Sequence, residues 1–130
     1  MAEGDRPGYR VLIVDDSPQI TTLLASCLAD LATIAVAEAG DAALRQAVEF
    51  KPHLMLVDIV LPGFSGFDLV DMLRRRPGGI DAHVVFMTGL QEPANAYRAR
   101  ELGARAMIYK PLDPEHVRRV VTQLLYASGT

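Results

Sequence analysis

The sequence predicts an α/β domain made of five consecutive βα units, doubly wound around a mostly parallel five-stranded sheet. Three observations carry that expectation. Short β-branched apolar runs alternate with longer amphipathic stretches along the chain. The runs are apolar at nearly every position, the pattern of strands covered by helices on both faces. At 130 residues, half of them hydrophobic, the chain has the size of one domain with one core.

Arg10-Val11-Leu12-Ile13-Val14 reads as the first buried strand. Ile20, Leu23, Leu24, Cys27, Leu28 and Leu31 follow at helical spacing, with Ser17 placed as N-cap and Pro18 at the first helical position. Thr33–Ala37 is the second strand, and Gly40–Phe50 a helix with Ala43, Leu44, Ala47 and Val48 on one face. His53–Val57 is the third strand, followed by a Pro- and Gly-rich loop over 61–66. A helix is predicted from Phe67 to Arg76, stopped by Pro77-Gly78-Gly79. Ala82–Met87 is the fourth strand, Pro93–Leu102 an Ala-rich helix ended by Gly103, and Ala106–Tyr109 the fifth strand. A last helix spans Pro114–Tyr126, buried through Val117, Val120, Val121, Leu124 and Leu125.

Composition narrows the function. Thirteen Lys+Arg against sixteen Asp+Glu leave a formal net charge of −3, a poor balance for binding nucleic acid through its phosphates. The single cysteine, Cys27, excludes an internal disulfide framework and a Cys-rich zinc site within one chain. No apolar run approaches the ~18 residues of a membrane span, and the N-terminus lacks the charged and apolar regions of a signal peptide. The expectation is a cytoplasmic domain with no membrane and no direct nucleic-acid contact. Its boundaries are an N-terminal tail over 1–8, the domain over 9–127, and a tail or linker start over 128–130.

Right-handed crossovers place every strand-to-helix loop at one edge of a parallel sheet, where functional residues gather. Asp15 and Asp16 follow the first strand, Asp58 the third and Thr88 the fourth, while Lys110 ends the fifth. Close carboxylates repel, so such a site needs a cation or must keep some of them protonated. A few hard oxygen ligands in a partly open site suit Mg²⁺. With a lysine and a hydroxyl beside it, the site is equipped to hold phosphoryl oxygens, and one carboxylate can act as nucleophile. Asp58, after the central strand, is the candidate. Each of these residues alone reads as an ordinary turn, cap or surface residue; their joint convergence points to a site.

The motifs Val11-Leu12-Ile13-Val14-Asp15-Asp16, Val57-Asp58-Ile59-Val60-Leu61-Pro62-Gly63 with Gly66, Met87-Thr88-Gly89, and Gly103-Ala104 with Lys110-Pro111 stand in order across residues 9 to 127. In these the chain resembles the receiver domains of two-component response regulators, the chemotaxis-protein-like family. The resemblance implies a flavodoxin-like (βα)5 fold with strand order 2-1-3-4-5, an order for which the chemotaxis receiver is itself a standard example. It implies that Asp58 accepts a phosphoryl group from a sensor histidine kinase or a histidine phosphotransfer protein. Mg²⁺ would be held directly by Asp16, mainly through water by Asp15, and by Asp58 and the backbone carbonyl of Val60. Thr88 would bond a phosphoryl oxygen, Lys110 would pair with Asp58 and then with the phosphoryl group, and Pro111 would follow a cis peptide bond. Phosphorylation would switch the loop after Thr88 and the face of the fourth helix, fifth strand and fifth helix. Tyr97, Arg98, Met107, Val117 and Arg118 are candidates on that face, where a partner or a second copy of the chain is expected to bind.

Three departures from the family pattern bear on switching. Met107 stands where most receivers carry Tyr or Phe, and Tyr109 is expected to face away from it. Gly89 replaces a commoner Ala, which leaves more access to the phosphorus. Val60 and Leu90 offer no polar side chain to orient water, so slow loss of the phosphoryl group is expected. Arg74-Arg75-Arg76 reads as a helix end complementing the macrodipole. His53, His83 and His116 share no ligand spacing, and Cys27 reads as core.

Rival readings fit less well. A haloacid dehalogenase-like phosphatase would carry Asp-x-Asp, where this chain has Asp15-Asp16-Ser17. A flavin-binding module would not set two acids at its phosphate loop. A degenerate receiver acting as a phosphorylation-independent module, or a receiver fragment of a larger DNA-binding regulator or hybrid kinase, are the alternatives kept.

Overall fold

The computed structural model describes residues 8–127. Five parallel strands, β1 (Arg10–Val14), β2 (Thr33–Ala37), β3 (Leu54–Asp58), β4 (His83–Thr88) and β5 (Ala106–Tyr109), form one sheet in the order β2-β1-β3-β4-β5. The connecting helices are α1 (Pro18–Leu28), α2 (Gly40–Phe50), α3 (Gly66–Arg75), α4 (Pro93–Glu101) and α5 (Pro114–Thr122). This is the expected doubly wound, flavodoxin-like arrangement, with β1 and β3 adjacent at the centre.

Alternation along the strands divides the core between the two faces. Leu12, Val14, Met55, Val57, Val84 and Phe86 meet Ala43, Ala47, Leu69, Val70, Leu73 and Ala99 of α2, α3 and α4. Val11, Ile13, Leu54, Leu56, Val85, Met87 and Ile108 meet Leu24, Leu28, Val117, Val121 and Leu125 on the other face. Each fully buried aliphatic side chain contributes about 1.5–3 kcal/mol by leaving water, so both faces of β1, β3 and β4 are held in register. That rigidity is what positions the residues at the strand ends.

Helix starts are capped where the sequence provides a side chain. Ser17 Oγ accepts from the Ile20 N–H, Ser65 Oγ from the Asp68 N–H, and Asp113 Oδ1 from the Glu115 N–H. Beyond one-residue shifts at the ends of β3, β4, α3 and α4, three features differ from expectation. Helix α1 stops at Leu28, and the Leu31 N–H turns back to the Leu28 carbonyl at 2.9 Å. The last helix changes at Gln123 into a π-helical turn, Gln123–Ala127, in which the Tyr126 hydroxyl donates to the Leu31 carbonyl. Arg74 does more than complement a dipole: its half-buried guanidinium donates to the carbonyls of Leu102, Ile80 and Ala82 and ties the end of α3 to β4 and α4. Among the described residues no helix is long and apolar enough to cross a membrane. Apart from Gly8, the expected tails at 1–8 and 128–130 lie outside the described residues.

Candidate functional site at the carboxyl edge of the sheet

Four of the strands deliver a residue at or just after their carboxyl end to one edge. Asp15 leaves β1 fully buried, with Oδ1 accepting from the Ser17 N–H at 2.9 Å. Asp58 ends β3 and is 6% exposed; its Oδ1 accepts from the Val60 N–H at 3.2 Å. Thr88 ends β4, also buried, and its Oγ1 accepts from the Leu90 N–H at 3.0 Å, which leaves the hydroxyl proton available. Lys110 follows β5, fixed by its N–H to the Thr88 carbonyl at 2.8 Å, and its Nζ lies 2.9 Å from Asp15 Oδ2 and 3.0 Å from Asp58 Oδ2. The Lys110–Pro111 peptide is cis, as expected.

The ammonium therefore bridges two buried carboxylates. Burial works against the charge of Lys110, but its hydrogen bonds to Asp15 and Asp58 outweigh that and hold its pKa above the ordinary value. For Asp58 burial wins: it pushes the carboxyl up, Asp15 adds to the push, and Lys110 and the Val60 N–H oppose it.

Asp16 is exposed at the mouth of the pocket, and carboxylate oxygens of Asp15, Asp16 and Asp58 lie within 4.8 Å of one another. Three acids against one lysine leave an excess of negative charge in an all-oxygen donor set. A hard divalent cation such as Mg²⁺ fits that excess.

The loop after Asp58 is held by a glycine whose role the motif alone did not reveal. The Gly66 N–H donates to the Ile59 carbonyl at 2.8 Å, and a Cβ on Gly66 would fall 2.2 Å from the Asp58 carbonyl oxygen. The packing of Gly66 on the Asp58 backbone is thus a condition for the loop's path. By contrast, a Cβ on Gly89 would meet nothing within 4 Å, so that position is open. The side chains of Val60 and Leu90 are exposed beside the pocket.

The residues assigned to switching are not all brought together. Met107 is half-buried against the α2–α3–α4 side of the core, and Tyr97 is exposed on α4. Tyr109 does not face away from Met107. Residues two apart share a face of a strand; Ile108 is the one that packs on the opposite side, and Tyr109 stands in register with Thr88. Val117 is fully buried, and Arg118 pairs with Asp30 at 2.7 and 2.8 Å and donates to the Cys27 carbonyl, so neither lies on the proposed outer face. Cys27 is half-buried at the α1–α5 seam rather than in the core, with Sγ 3.4 Å from the Pro114 carbonyl.

Comparison with known proteins agrees with this geometry. Residues 11–122 match the response regulator receiver domain family. The Vibrio cholerae protein named "Probable cyclic di-GMP phosphodiesterase" is 34% identical over 125 residues, covering 95% of this chain and 28% of that protein. The phosphate regulon transcriptional regulatory protein PhoB of Pseudomonas aeruginosa is 32% identical over 124 residues, 94% of this chain and 54% of its own length. The chain thus spans about half or less of these curated relatives. A CheY-like response regulator receiver domain protein from Methanospirillum hungatei superposes with a TM-score of 0.79 at 26% identity, covering 91% of this chain and 94% of that one. With the acids, threonine and lysine of the motifs converged on one edge of this fold, the chain belongs to the receiver domain family of two-component response regulators.

Proposed function

We propose that Asp58 accepts a phosphoryl group from a phosphohistidine of a sensor histidine kinase or a histidine phosphotransfer protein, and that the chain acts in the cytoplasm as a phosphorylation-controlled switch of protein contacts. The bridging of Asp15 and Asp58 by Lys110 is the observation that carries this reading, because it presents a carboxylate nucleophile beside a fixed cation. In the step, a carboxylate oxygen of Asp58 forms a bond to phosphorus as the phosphorus–nitrogen bond of the donor imidazole breaks, and the imidazole leaves with the electron pair. The Lys110 ammonium accompanies the negative charge onto the phosphoryl oxygens, and the Thr88 hydroxyl donates to one of them. Asp15, Asp16, Asp58 and the Val60 carbonyl would hold Mg²⁺, which when bound offsets the charge of the carboxylates and of the phosphoryl oxygens. The chain assists its own phosphorylation and is not a turnover enzyme in this reading.

The apolar Val60 and Leu90 at the pocket mouth support slow hydrolysis of the acyl phosphate, since neither side chain can hold an attacking water. Tyr97, Arg98 and Met107 remain the candidates for the α4–β5–α5 face, with Gly89 and Pro111 in the loops that move, and a second copy of the chain or a downstream partner as its occupant. The names and lengths of the relatives favour a second arrangement, in which this receiver controls an attached output such as a DNA-binding domain.

Intact mass after incubation with Mg²⁺ and acetyl phosphate tests the proposal. One phosphoryl adduct is expected on the wild type and none on Asp58→Asn. A folded wild type that takes no adduct from several phosphodonors would identify a phosphorylation-independent module instead.

A further inference from the structure

The opposite edge of the sheet has the opposite chemistry. At the amino ends of β1, β3 and β4, Arg10, His53 and His83 are neighbours: the His53 N–H donates to the Arg10 carbonyl and the His83 N–H to the His53 carbonyl, each at 2.8 Å. Their side chains line a hollow of about 480 Å³, within the roughly 300–1,000 Å³ of small-molecule sites. Lys51 and Arg76 complete its polar wall, and among the described residues Asp81 is the one carboxylate of the lining. Tyr9, Val48, Ile80 and Leu125 supply apolar surface.

The partners of both imidazoles fix their tautomers. A backbone N–H and a guanidinium can only donate. The Arg10 N–H donates to His53 Nδ1 at 3.0 Å, and the Arg105 guanidinium donates to His83 Nδ1 at 3.3 Å. Each neutral ring therefore carries its proton on Nε2, as a donor not used by those contacts. Burial first, then Arg10 for His53 and Arg105 with Arg74 for His83, holds both pKa values below the ordinary imidazole value, so both rings are neutral at pH 7.

The cations around the hollow are not neutralised by direct pairing. Among the described residues Arg10, Lys51 and Arg76 form no ion pair. Arg10 directs its Nε to the carbonyls of Phe50 and Lys51 at 2.9 and 3.0 Å, which leaves its terminal nitrogens for another acceptor. A chain of net charge −3 has thus gathered on one concavity two imidazole donors and three cations with no ion-pair partner among the described residues.

We propose that this hollow binds a small organic phosphate of mononucleotide size. Lys51, Arg76, Arg10 and the imidazole Nε2–H groups hold the phosphate, and the organic body lies against the apolar wall with Tyr9. Cations and oriented N–H donors recognise phosphate oxygens, and the apolar wall distinguishes an organic phosphate from the bare ion. Acceptor chemistry at Asp58 plays no part, since five-residue strands separate the two edges by roughly 15 Å.

An amide-resolved NMR titration of the whole chain, without Mg²⁺, with AMP, phenyl phosphate and inorganic phosphate tests the site. Saturable shifts are expected at Arg10, Lys51, His53, Gly79 and His83 with both organic phosphates, at a dissociation constant of about 1 mM or tighter. Inorganic phosphate is expected to bind about tenfold more weakly. A double variant, Lys51→Gln with Arg76→Gln, alters only exposed side chains and is expected to weaken AMP about tenfold, while Asp58→Asn leaves AMP binding unchanged. Absence of saturable shifts at these amides with the organic phosphates overturns the proposal. So do shifts confined to the Asp58, Thr88 and Lys110 region, an undiminished affinity in the double variant, or equal affinity for inorganic phosphate.

Discussion

The two ends of one sheet handle charge in contrary ways. At the carboxyl edge two of the three acids are buried and partnered, with Asp16 exposed at the mouth: Lys110 holds Asp15 and Asp58 at 2.9 and 3.0 Å, and backbone N–H groups of Ser17 and Val60 bond the remaining oxygens. At the amino edge Arg10, Lys51 and Arg76 face a hollow with no ion pair among the described residues. Partnered buried charge makes an edge on which stability and chemistry are coupled. Unpaired charge around a concavity makes an edge where substitution leaves the fold alone and changes only what binds. Mutations at the two ends are therefore expected to separate.

Removing the bridge should have the largest effect. Lys110→Ala leaves Asp15 and Asp58 buried with no counter-charge, and breaking a buried pair from one side costs about 3 kcal/mol. Urea unfolding without metal measures the loss, and Mg²⁺ should restore part of it by replacing the missing positive charge. Unchanged stability would mean that the carboxylates are satisfied without the lysine and would remove the contrast between the edges.

Gly66→Ala comes next. Its Cβ would lie 2.2 Å from the Asp58 carbonyl oxygen, and backbone must move to admit it. A cost of about 2 kcal/mol is expected from the overpacking, with slower uptake of the phosphoryl group because the Asp58 loop is displaced. Gly89→Ala serves as the comparison, since nothing lies within 4 Å of its Cβ; its stability should stay within about 0.5 kcal/mol of wild type.

Asp58→Asn should stabilise. Burial raises the Asp58 carboxyl above its ordinary value. A carboxyl raised on folding favours the native state while protonated, and that contribution is lost as pH rises through the folded-state pKa. At neutral pH without metal, replacing the ionised acid by the neutral amide is therefore expected to raise stability. The gain should vanish in acid, where the wild-type carboxyl is protonated too. Thermal melts across pH check both the sign and the convergence; a gain that grows in acid would reverse the assignment.

How much of each edge could be read from sequence differs for a physical reason. The carboxyl edge was legible because Asp15, Asp16, Asp58, Thr88 and Lys110 each follow an apolar run, and parallel topology sends all such positions to one side. The amino edge obeys the same rule in mirror image: Arg10, His53 and His83 each precede a run at Val11, Leu54 and Val84. Metal-ligand spacing along the chain does not reveal these histidines, since residues that start adjacent strands need no fixed spacing. Strand period settles that Met107 and Tyr109 share a face, and an expectation placing them apart contradicted it. Other features lie beyond pattern. That Arg74 turns inward to three carbonyls while Arg75 pairs outward with Asp71 depends on packing of α4 and β4, which no helical periodicity encodes. The same holds for Arg118, which faces α1 through Asp30 and not the α4 side.

The smallest effect is expected at the amino edge, and it decides the comparison. Lys51 and Arg76 are exposed and like-charged, and neither forms an ion pair among the described residues. Exposed charge changes away from a partner move stability within about 0.5 kcal/mol, and removing mutual repulsion favours the fold if it does anything. The double variant Lys51→Gln with Arg76→Gln should therefore melt within a few degrees of wild type, and added salt should narrow the difference, because screening already weakens the repulsion it relieves. Phosphoryl uptake at Asp58 should not change. A loss above about 1 kcal/mol would show that these cations support the fold as Lys110 does, and charge at the amino edge would then be structural, with the hollow a consequence of packing. Wild-type stability with wild-type phosphorylation would leave the positive charge there without a role in folding or in acceptor chemistry, which is the condition a ligand site at that edge has to meet.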